Sequence, residues 1–234
     1  GTTVWPGDIK FKDISGPEGV PDGIIDTYDR TFIGSPQATF TFGLNNSFSY
    51  KNLELNVFII GSYGNKILNY VGRSLSRMNS VWPNQLQTTT DRAKLEPIDP
   101  DLTYPRVNST GREIQNWFED IDNVQVANPG TDVPRAITGD PNDNGRISDR
   151  YIEDGSYLRF QNISLTYSVP SKVFNKVAIS SMNVYVRLQN MWTITNYTGF
   201  DPEVGASQTS NNVMGLDNGR YPSPRMYTIG ANIS

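Results

Sequence analysis

The stretch TFTFGLNNSFSYKNLELNVFIIGSYG, residues 39–64, decides the fold because its hydrophobic residues recur at every second position. Even positions from 40 to 50 are hydrophobic, except at Asn46, and odd positions are small or polar. Leucine, valine and isoleucine then occupy the odd positions from 53 to 59. Successive side chains of a strand point to opposite faces, so the pattern predicts two two-faced strands. Only residues 51–52 separate them, which indicates a tight hairpin.

Three further segments alternate in the same way, at residues 157–169, 183–195 and 226–234. About ninety residues separate the second strand from the third and about thirty separate the fourth from the fifth, whereas the other connections are short. In an antiparallel meander the long connections then all lie at one end, as in outer-membrane barrels. Soluble sandwiches also have two-faced strands, so the faces alone leave barrel and sandwich open. Five strands are too few to close a barrel, so on the barrel interpretation the chain is a fragment.

The composition removes several classes of function. The 234 residues include no cysteine and no histidine, which excludes Cys nucleophiles, Ser-His-Asp triads and His-ligated zinc. A net charge of −4 without a long basic run makes nucleic acid a poor partner. No apolar run is long enough for a transmembrane helix. The acidic pairs Glu153–Asp154 and Asp120–Asp122 indicate surface charge rather than catalysis, so we expect no enzyme.

The stretch DISGPEGVPDGIIDTYD, residues 13–29, predicts a calcium ion with a structural role. An EF-hand-type loop places oxygen ligands at positions 1, 3, 5, 7, 9 and 12, with glycine at position 6. Aligning Gly23 to that glycine leaves an insertion of about five residues after position 3. Hard oxygen ligands without His or Cys favour calcium over a transition metal. The alternative is an acidic turn without an ion. The predicted ligands are Asp13, Ser15, Asp22, Ile24 (through its carbonyl), Asp26 and Asp29.

Three other loop features allow simpler interpretations. DPNDNGRISDRY, residues 140–151, is a weaker copy of the calcium pattern and is better explained as a loop rich in Asx turns. Residues 109–123 predict a short helix capped by Ser109 or Thr110. Exposed loop aromatics can stack on sugars or pack against their own loops; the candidates are Trp82, Trp117 and Phe200.

Several strings, read in order, closely resemble one family. They are PGDIKFKDISG (6–16), the stretch from DGIIDTYD to GNKILN (22–69), ISDRYIEDGSYLRFQNISLTYSVP (147–170), ISSMNVYVRLQNMWTITNYTGFDPEVG (179–205) and YPSPRMYTIGANIS (221–234). This succession is similar to the C-terminal end of SusC/RagA-family TonB-linked outer-membrane proteins of Bacteroidetes. The resemblance covers most of the chain and is weakest between about 72 and 130.

The resemblance implies a fold and a function. It implies an all-β fold of antiparallel up-and-down strands forming the C-terminal part of a large transmembrane β-barrel with long extracellular loops. Residues 1–38 would be an extracellular loop with the calcium-like motif. Residues 39–234 would be the last five strands, with long extracellular loops at about 64–156 and 196–224.

Such proteins import oligosaccharides or peptides across the outer membrane together with a SusD-like lipoprotein, and TonB energises them through a plug that would lie outside this chain. The expected partners are therefore the remaining barrel and plug, the lipoprotein, TonB, outer-membrane lipid and an oligosaccharide or peptide. The alternative function is that of a soluble calcium-dependent carbohydrate-binding β-domain.

Overall fold

The chain folds as two compact units in the computed structural model, which describes residues 4–174, 179–204 and 213–234. Unit 1 comprises Gly1–Phe32 and Gly72–Ser148. Unit 2 comprises Ile33–Val71 and Asp149–Ser234.

Strands dominate unit 2, whereas the strands of unit 1 are two or three residues long. In chain order they are β1 (Phe40–Tyr50), β2 (Leu53–Tyr63), β3 (Lys66–Asn69), β4 (Leu95–Pro97), β5 (Arg106–Val107), β6 (Glu113–Ile114), β7 (Val124–Val126), β8 (Ile152–Asp154), β9 (Tyr157–Ser168), β10 (Met182–Thr195), β11 (Leu216–Asp217) and β12 (Met226–Ile233). The helical segments are α1 (Tyr70–Ser76) and six 3-10 turns at Thr27–Asp29, Gln87–Asp91, Trp117–Glu119, Ile121–Asn123, Asp149–Tyr151 and Ser171–Val173. Among the described residues, no helix is both long and apolar enough to cross a membrane.

The five long strands of unit 2 form one sheet in the order β1-β2-β9-β10-β12, and every neighbouring pair is antiparallel. The β1–β2 hairpin is tight, since Tyr50 pairs with Leu53 and Lys51 adopts a positive φ of 54° in the turn. The predicted all-β class with antiparallel up-and-down strands is therefore confirmed. The loops predicted at about 64–156 and 196–224 lie between β2 and β9 and between β10 and β12. Their extracellular position stays a prediction.

One face of this sheet is apolar across all five strands. Cross-strand pairing places one such row side by side: Phe48, Leu55, Leu165, Val186 and Ile229. Directly paired residues share a face, so the register carries the hydrophobic face from one edge strand to the other. The neighbouring row on the opposite face is polar: Ser47, Asn56, Ser164, Arg187 and Thr228.

A β-bulge keeps the apolar face continuous towards the start of β9. The pairing of β9 with β2 skips Gln161, because Asn162 pairs with Phe58 whereas Phe160 pairs with Ile59. An extra residue shifts the alternation by one position, so the apolar face of β9 moves from odd to even positions there. The same shift turns Arg159 to the polar face.

Shorter pairings organise the remaining chain. In unit 2, β3 lies between β11, to which it is parallel, and β8, to which it is antiparallel. In unit 1, β4 pairs with β7 and β5 pairs with β6, both antiparallel. The buried hydrophobic residues of unit 1 are Ala93, Ile114 and Val124.

The predicted helix over residues 109–123 is wrong. The segment instead contains β6 and two 3-10 turns. The Asn108 carboxamide oxygen accepts hydrogen bonds from the backbone N–H groups of Thr110 (3.1 Å) and Arg112 (3.0 Å), which turns the chain back into a strand pair. Asp120 begins the second 3-10 turn by accepting from the Asp122 N–H. Such side-chain bonds to backbone compete with helix formation.

Candidate functional site

Asp29 organises the aspartate-rich loop of unit 1. Its Oδ1 accepts hydrogen bonds from the backbone N–H groups of Ile14 (2.7 Å) and Ser15 (3.3 Å), and its Oδ2 accepts from that of Asp26 (2.8 Å). These N–H groups, Ile14 first and then Asp26, hold the pKa of the exposed Asp29 carboxyl below its usual value. These bonds join residue 29 to residues 14 and 15 and so close the loop.

Two glycines have different roles in the rest of the loop. Asp13 Oδ2 accepts from the Gly23 N–H at 2.6 Å, whereas Asp13 Oδ1 is buried and has no hydrogen-bond partner. Gly23 has a positive φ of 82°, which favours glycine. A Cβ on Gly16 would lie 2.7 Å from the Asp22 carboxylate carbon, so a side chain there would displace Asp22.

The structure brings four of the six predicted calcium ligands together through hydrogen bonds and leaves the other two in a local turn. Asp13, Ser15, Asp26 and Asp29 belong to the closed loop, whereas Asp22 accepts from the Ile24 N–H two residues away. Within the described ranges, no group of three or more Asp, Glu, His or Cys side chains is arranged to hold a metal ion. The ligands thus fit calcium in chemical kind but not in arrangement, and the calcium site stays a prediction.

The weaker copy at residues 140–151 forms Asx-type turns in its first part, which belongs to unit 1, and a 3-10 turn at Asp149–Tyr151, which belongs to unit 2. Asp140 accepts from the backbone N–H groups of Asn144 (2.9 Å) and Gly145 (3.2 Å). The Asn144 amide donates to Asp8 Oδ1 at 3.0 Å. The carboxylate of Asp140 and the amide of Asn144 therefore stabilise the conformation of this loop.

Asp8 and Arg135 form a buried bidentate ion pair in the same unit. Arg135 Nε lies 2.8 Å from Asp8 Oδ1, and Nη2 lies 3.1 Å from Oδ2. The guanidinium lies 5.3 Å from the centre of the Trp5 ring. Burial by itself raises the pKa of Asp8, but the hydrogen bonds from Arg135 and Asn144 outweigh it and hold that pKa below its usual value.

Unit 1 also contains a surface cleft of about 600 Å³. Its wall includes Met78, Ser80, Asn84, Arg92, Ile137 and Thr138. The backbone bond from the Ile137 N–H to the Met78 carbonyl, 3.1 Å long, joins its two sides. Arg92 is the charged residue among those described that line it, and its guanidinium has no acceptor among the described residues.

In unit 2, Arg159 anchors the loop that follows β10. Its guanidinium donates to Asp201 and to Glu203 Oε2 (2.7 Å), and its Nε donates to Thr193 Oγ1 (3.0 Å). Asp201 also accepts from the Ser223 N–H at 2.9 Å. Burial raises the pKa of Asp201, but the backbone N–H groups and Arg159 outweigh it and hold that pKa below its usual value.

The acidic pairs considered for catalysis have structural partners. Glu153 accepts from the backbone N–H and the hydroxyl of Thr198, both at 2.8 Å. Asp154 accepts from the N–H and hydroxyl of Ser156. Asp120 is fully buried and accepts from Arg106 at 2.8 Å. These carboxylates accept hydrogen bonds that hold loops, and the surface-charge interpretation is wrong for Asp120 because that residue is fully buried.

Sequence reasoning missed two features. Asp201 has a buried partner, Arg159, which lies in a strand whose alternation the bulge interrupts. Arg92 carries no sequence signal at all, because its significance depends on a cleft formed by distant segments.

Comparison with known proteins gives a consistent result. No model of a protein family matches the chain. The chain is 34% identical over 232 residues to TonB-dependent receptor P3 of Formosa agariphila and 28% identical over 235 residues to TonB-dependent receptor P26 of the same organism. These alignments cover 97% of the chain but 19% and 20% of the relatives. It is also 32% identical over 89 residues to TonB-dependent receptor SusC of Bacteroides thetaiotaomicron, which covers 37% of the chain and 8% of SusC.

Solved structures show the same fold. The RagAB peptide transporter matches 86% of the chain with a TM-score of 0.59 and 20% identity, covering 17% of that protein chain. The closed-closed state of the RagAB peptide importer matches 93% of the chain with a TM-score of 0.63 and 19% identity, covering 20% of that chain.

These findings place the chain among TonB-dependent receptors. SusC is among its sequence relatives and RagAB shares its fold, so the SusC/RagA-like character that the sequence strings predict is confirmed. The chain spans about a fifth of the length of the curated relatives that match it along its whole length. Those relatives are named as receptors, which agrees with the expectation of no enzyme.

Proposed function

We propose that this chain forms part of the wall of an outer-membrane importer driven by TonB, and that the importer takes up glycans or peptides with a SusD-like lipoprotein. The observation that carries the proposal is the apolar face of the main sheet. Its side chains are exposed at both edges of the sheet, with Phe48 61% and Ile229 79% accessible. Exposed apolar patches of this extent indicate an interaction with lipid or another protein.

Outer-membrane lipid is the partner that fits this face best. Barrel strands alternate between an apolar side towards lipid and a polar side towards the lumen. The apolar row of Phe48 and Ile229 and the polar row of Ser47 and Thr228 have this arrangement. A soluble calcium-dependent carbohydrate-binding domain would instead have to cover the whole apolar face.

The partners follow from the relatives. RagAB is named as a peptide transporter, and SusC as a TonB-dependent receptor. By analogy, the rest of the barrel and the plug would come from elsewhere in the protein, and the loops of this chain would contact the lipoprotein and substrate. Fold similarity supports this analogy without identifying the substrate.

We further propose a structural calcium ion in residues 13–29. Its support is that the loop supplies only hard oxygen ligands and that Asp13 Oδ1 is buried without a donor. Binding would require carboxylates to exchange backbone N–H partners for the ion.

A matched pair of lysine substitutions tests the wall assignment in the complete protein. Leu165→Lys places a charge on the apolar face, where a lipid-facing lysine costs from about 1 kcal/mol near a membrane interface to about 2–4 kcal/mol at the bilayer midplane. Thr166→Lys places the same charge on the opposite face, beside its cross-strand partner Glu54. We expect Leu165→Lys to reduce folded protein in isolated outer membranes and Thr166→Lys to leave it near the wild-type amount. Equal assembly of the two variants would contradict the proposal.

Substrate uptake provides the second test. Cells that express the complete protein should take up its oligosaccharide or peptide only when TonB and the adjacent lipoprotein are present. Uptake that persists after deletion of TonB would exclude the importer.

A further inference from the structure

The cleft of unit 1 has the chemistry of a ligand site. Among the described residues, the Arg92 guanidinium, the Asn84 amide and the Thr138 hydroxyl all have no hydrogen-bond or ion-pair partner. An arginine without an internal partner is available to bind a carboxylate or sulfate through two parallel hydrogen bonds. Amide and hydroxyl groups both donate and accept, as sugar hydroxyls do.

An exposed aromatic residue is next in sequence to two residues of the cleft wall. Trp82 lies between Val81 and Pro83, which both line the cleft, and its side chain is 90% accessible. The neighbouring Val81 is also exposed, and an aromatic ring gains free energy when a ligand buries it. A flat aromatic ring next to hydroxyl and amide groups suits a pyranose ring, which has apolar faces and a polar edge.

We propose that this cleft binds an acidic sugar unit of an oligosaccharide, with Arg92 on its carboxylate or sulfate group and Trp82 on the face of a sugar ring. The inference rests on the proposed import function and narrows its substrate to anionic glycans. The lining favours a glycan over an acidic peptide because it combines one cation with four hydroxyl or amide side chains, those of Ser80, Asn84, Gln85 and Thr138, beside apolar residues.

The test uses the complete detergent-purified receptor on an array of uronate-containing, sulfated and neutral oligosaccharides and acidic peptides. Acidic oligosaccharides should be retained, and retention should weaken as the salt concentration rises. Arg92→Gln should weaken their binding at least tenfold, because a hydrogen-bonded charged group contributes about 1.5–3 kcal/mol. Trp82→Ser should also weaken it at least tenfold, and Trp82→Phe should restore most of the loss.

Arg112 provides the matched control. It is an exposed arginine of unit 1 that does not line the cleft, so Arg112→Gln should change affinity less than twofold. The inference is overturned by equal losses in Arg92→Gln and Arg112→Gln, by preference for neutral glycans or acidic peptides, or by no retention of any glycan. The proposed function is tested separately, by the assembly of Leu165→Lys and by the dependence of uptake on TonB. Failure of the glycan-binding inference is therefore distinguishable from failure of the proposed function.

Discussion

Arg159 and Asp201 lie 42 residues apart in the sequence and form a buried ion pair that fastens the loop after β10 to the main sheet. Arg159 is 3% exposed as a side chain, and Glu203, its second acidic partner, is 47% exposed. Asp201 also accepts a hydrogen bond from the Ser223 N–H. This carboxylate therefore connects the segment that ends before residue 205 with the segment that begins after residue 212. The pair therefore holds the described part of this loop, residues 196–204, on the main sheet.

Arg159→Met should release this loop. Removing one member of a buried pair leaves an uncompensated charge, at a cost of about 3–5 kcal/mol. Glu203 is half-exposed, so water partly solvates its carboxylate after Arg159 is removed. We therefore expect a cost at the lower end of this range. Thermolysin cleavage near the exposed Phe200 should become at least tenfold faster. Glu203→Gln is the control and should cause a much smaller change; equal effects would show that Asp201 is not the main anchor.

The Asp8–Arg135 pair makes unit 1 sensitive to acid. The folded-state pKa of Asp8 lies below its ordinary value of 3.8, so its contribution is complete above that value and is lost as pH falls through the lower folded pKa. Trp5 fluorescence should report the loss, because the Arg135 guanidinium lies over its ring. Asp8→Asn should show the altered signal already at pH 7.

The control for the acid response is Asp132→Asn, which removes an exposed carboxylate of the same unit. Its fluorescence titration should match the wild type. If the fluorescence of the wild type changes between pH 2 and 5 and Asp8→Asn shows the same change, another carboxylate causes the acid response.

The sequence predicts the strands well because their signal is local. Alternation at every second residue specifies both the strand and its faces, and β1 and β2 follow it closely. The bulge at Gln161 interrupts that alternation, so the face of Arg159 cannot be assigned before the pairing is known.

The loops are less predictable because their contacts are not local. Thr110 and Glu113 have the spacing of a helix cap, but Asn108 and Asp120 offer the backbone competing hydrogen bonds. The predicted calcium ligands fit a spacing pattern, whereas their real partners are backbone N–H groups up to 15 residues away. Spacing identifies suitable ligand types but not their arrangement.

Asp120 should be the most sensitive carboxylate of unit 1. It is fully buried and accepts hydrogen bonds from the Tyr104 hydroxyl (3.0 Å) and Arg106 (2.8 Å). Asp120→Ala leaves both donors unpaired, at a cost of about 3 kcal/mol. Hydrogen exchange of residues 95–126, followed by mass spectrometry, should accelerate. Asp122→Ala, which removes an exposed acceptor of Ser109, is the control and should change exchange only near residue 109.

Calcium should protect residues 13–29 of the complete protein from proteolysis in a saturable way. An ion would provide a partner for Asp13 Oδ1, which has none, and would neutralise several carboxylates in one short loop. Asp22→Ala and Asp26→Ala should abolish the saturation, while magnesium at the same concentration should protect less because it demands stricter octahedral geometry. Asp101→Ala, an exposed aspartate outside the loop, should titrate as the wild type does. If residues 13–29 are fully protected from proteolysis in the presence of a chelator, the backbone hydrogen bonds to Asp29 are sufficient to hold the loop and the calcium proposal is contradicted.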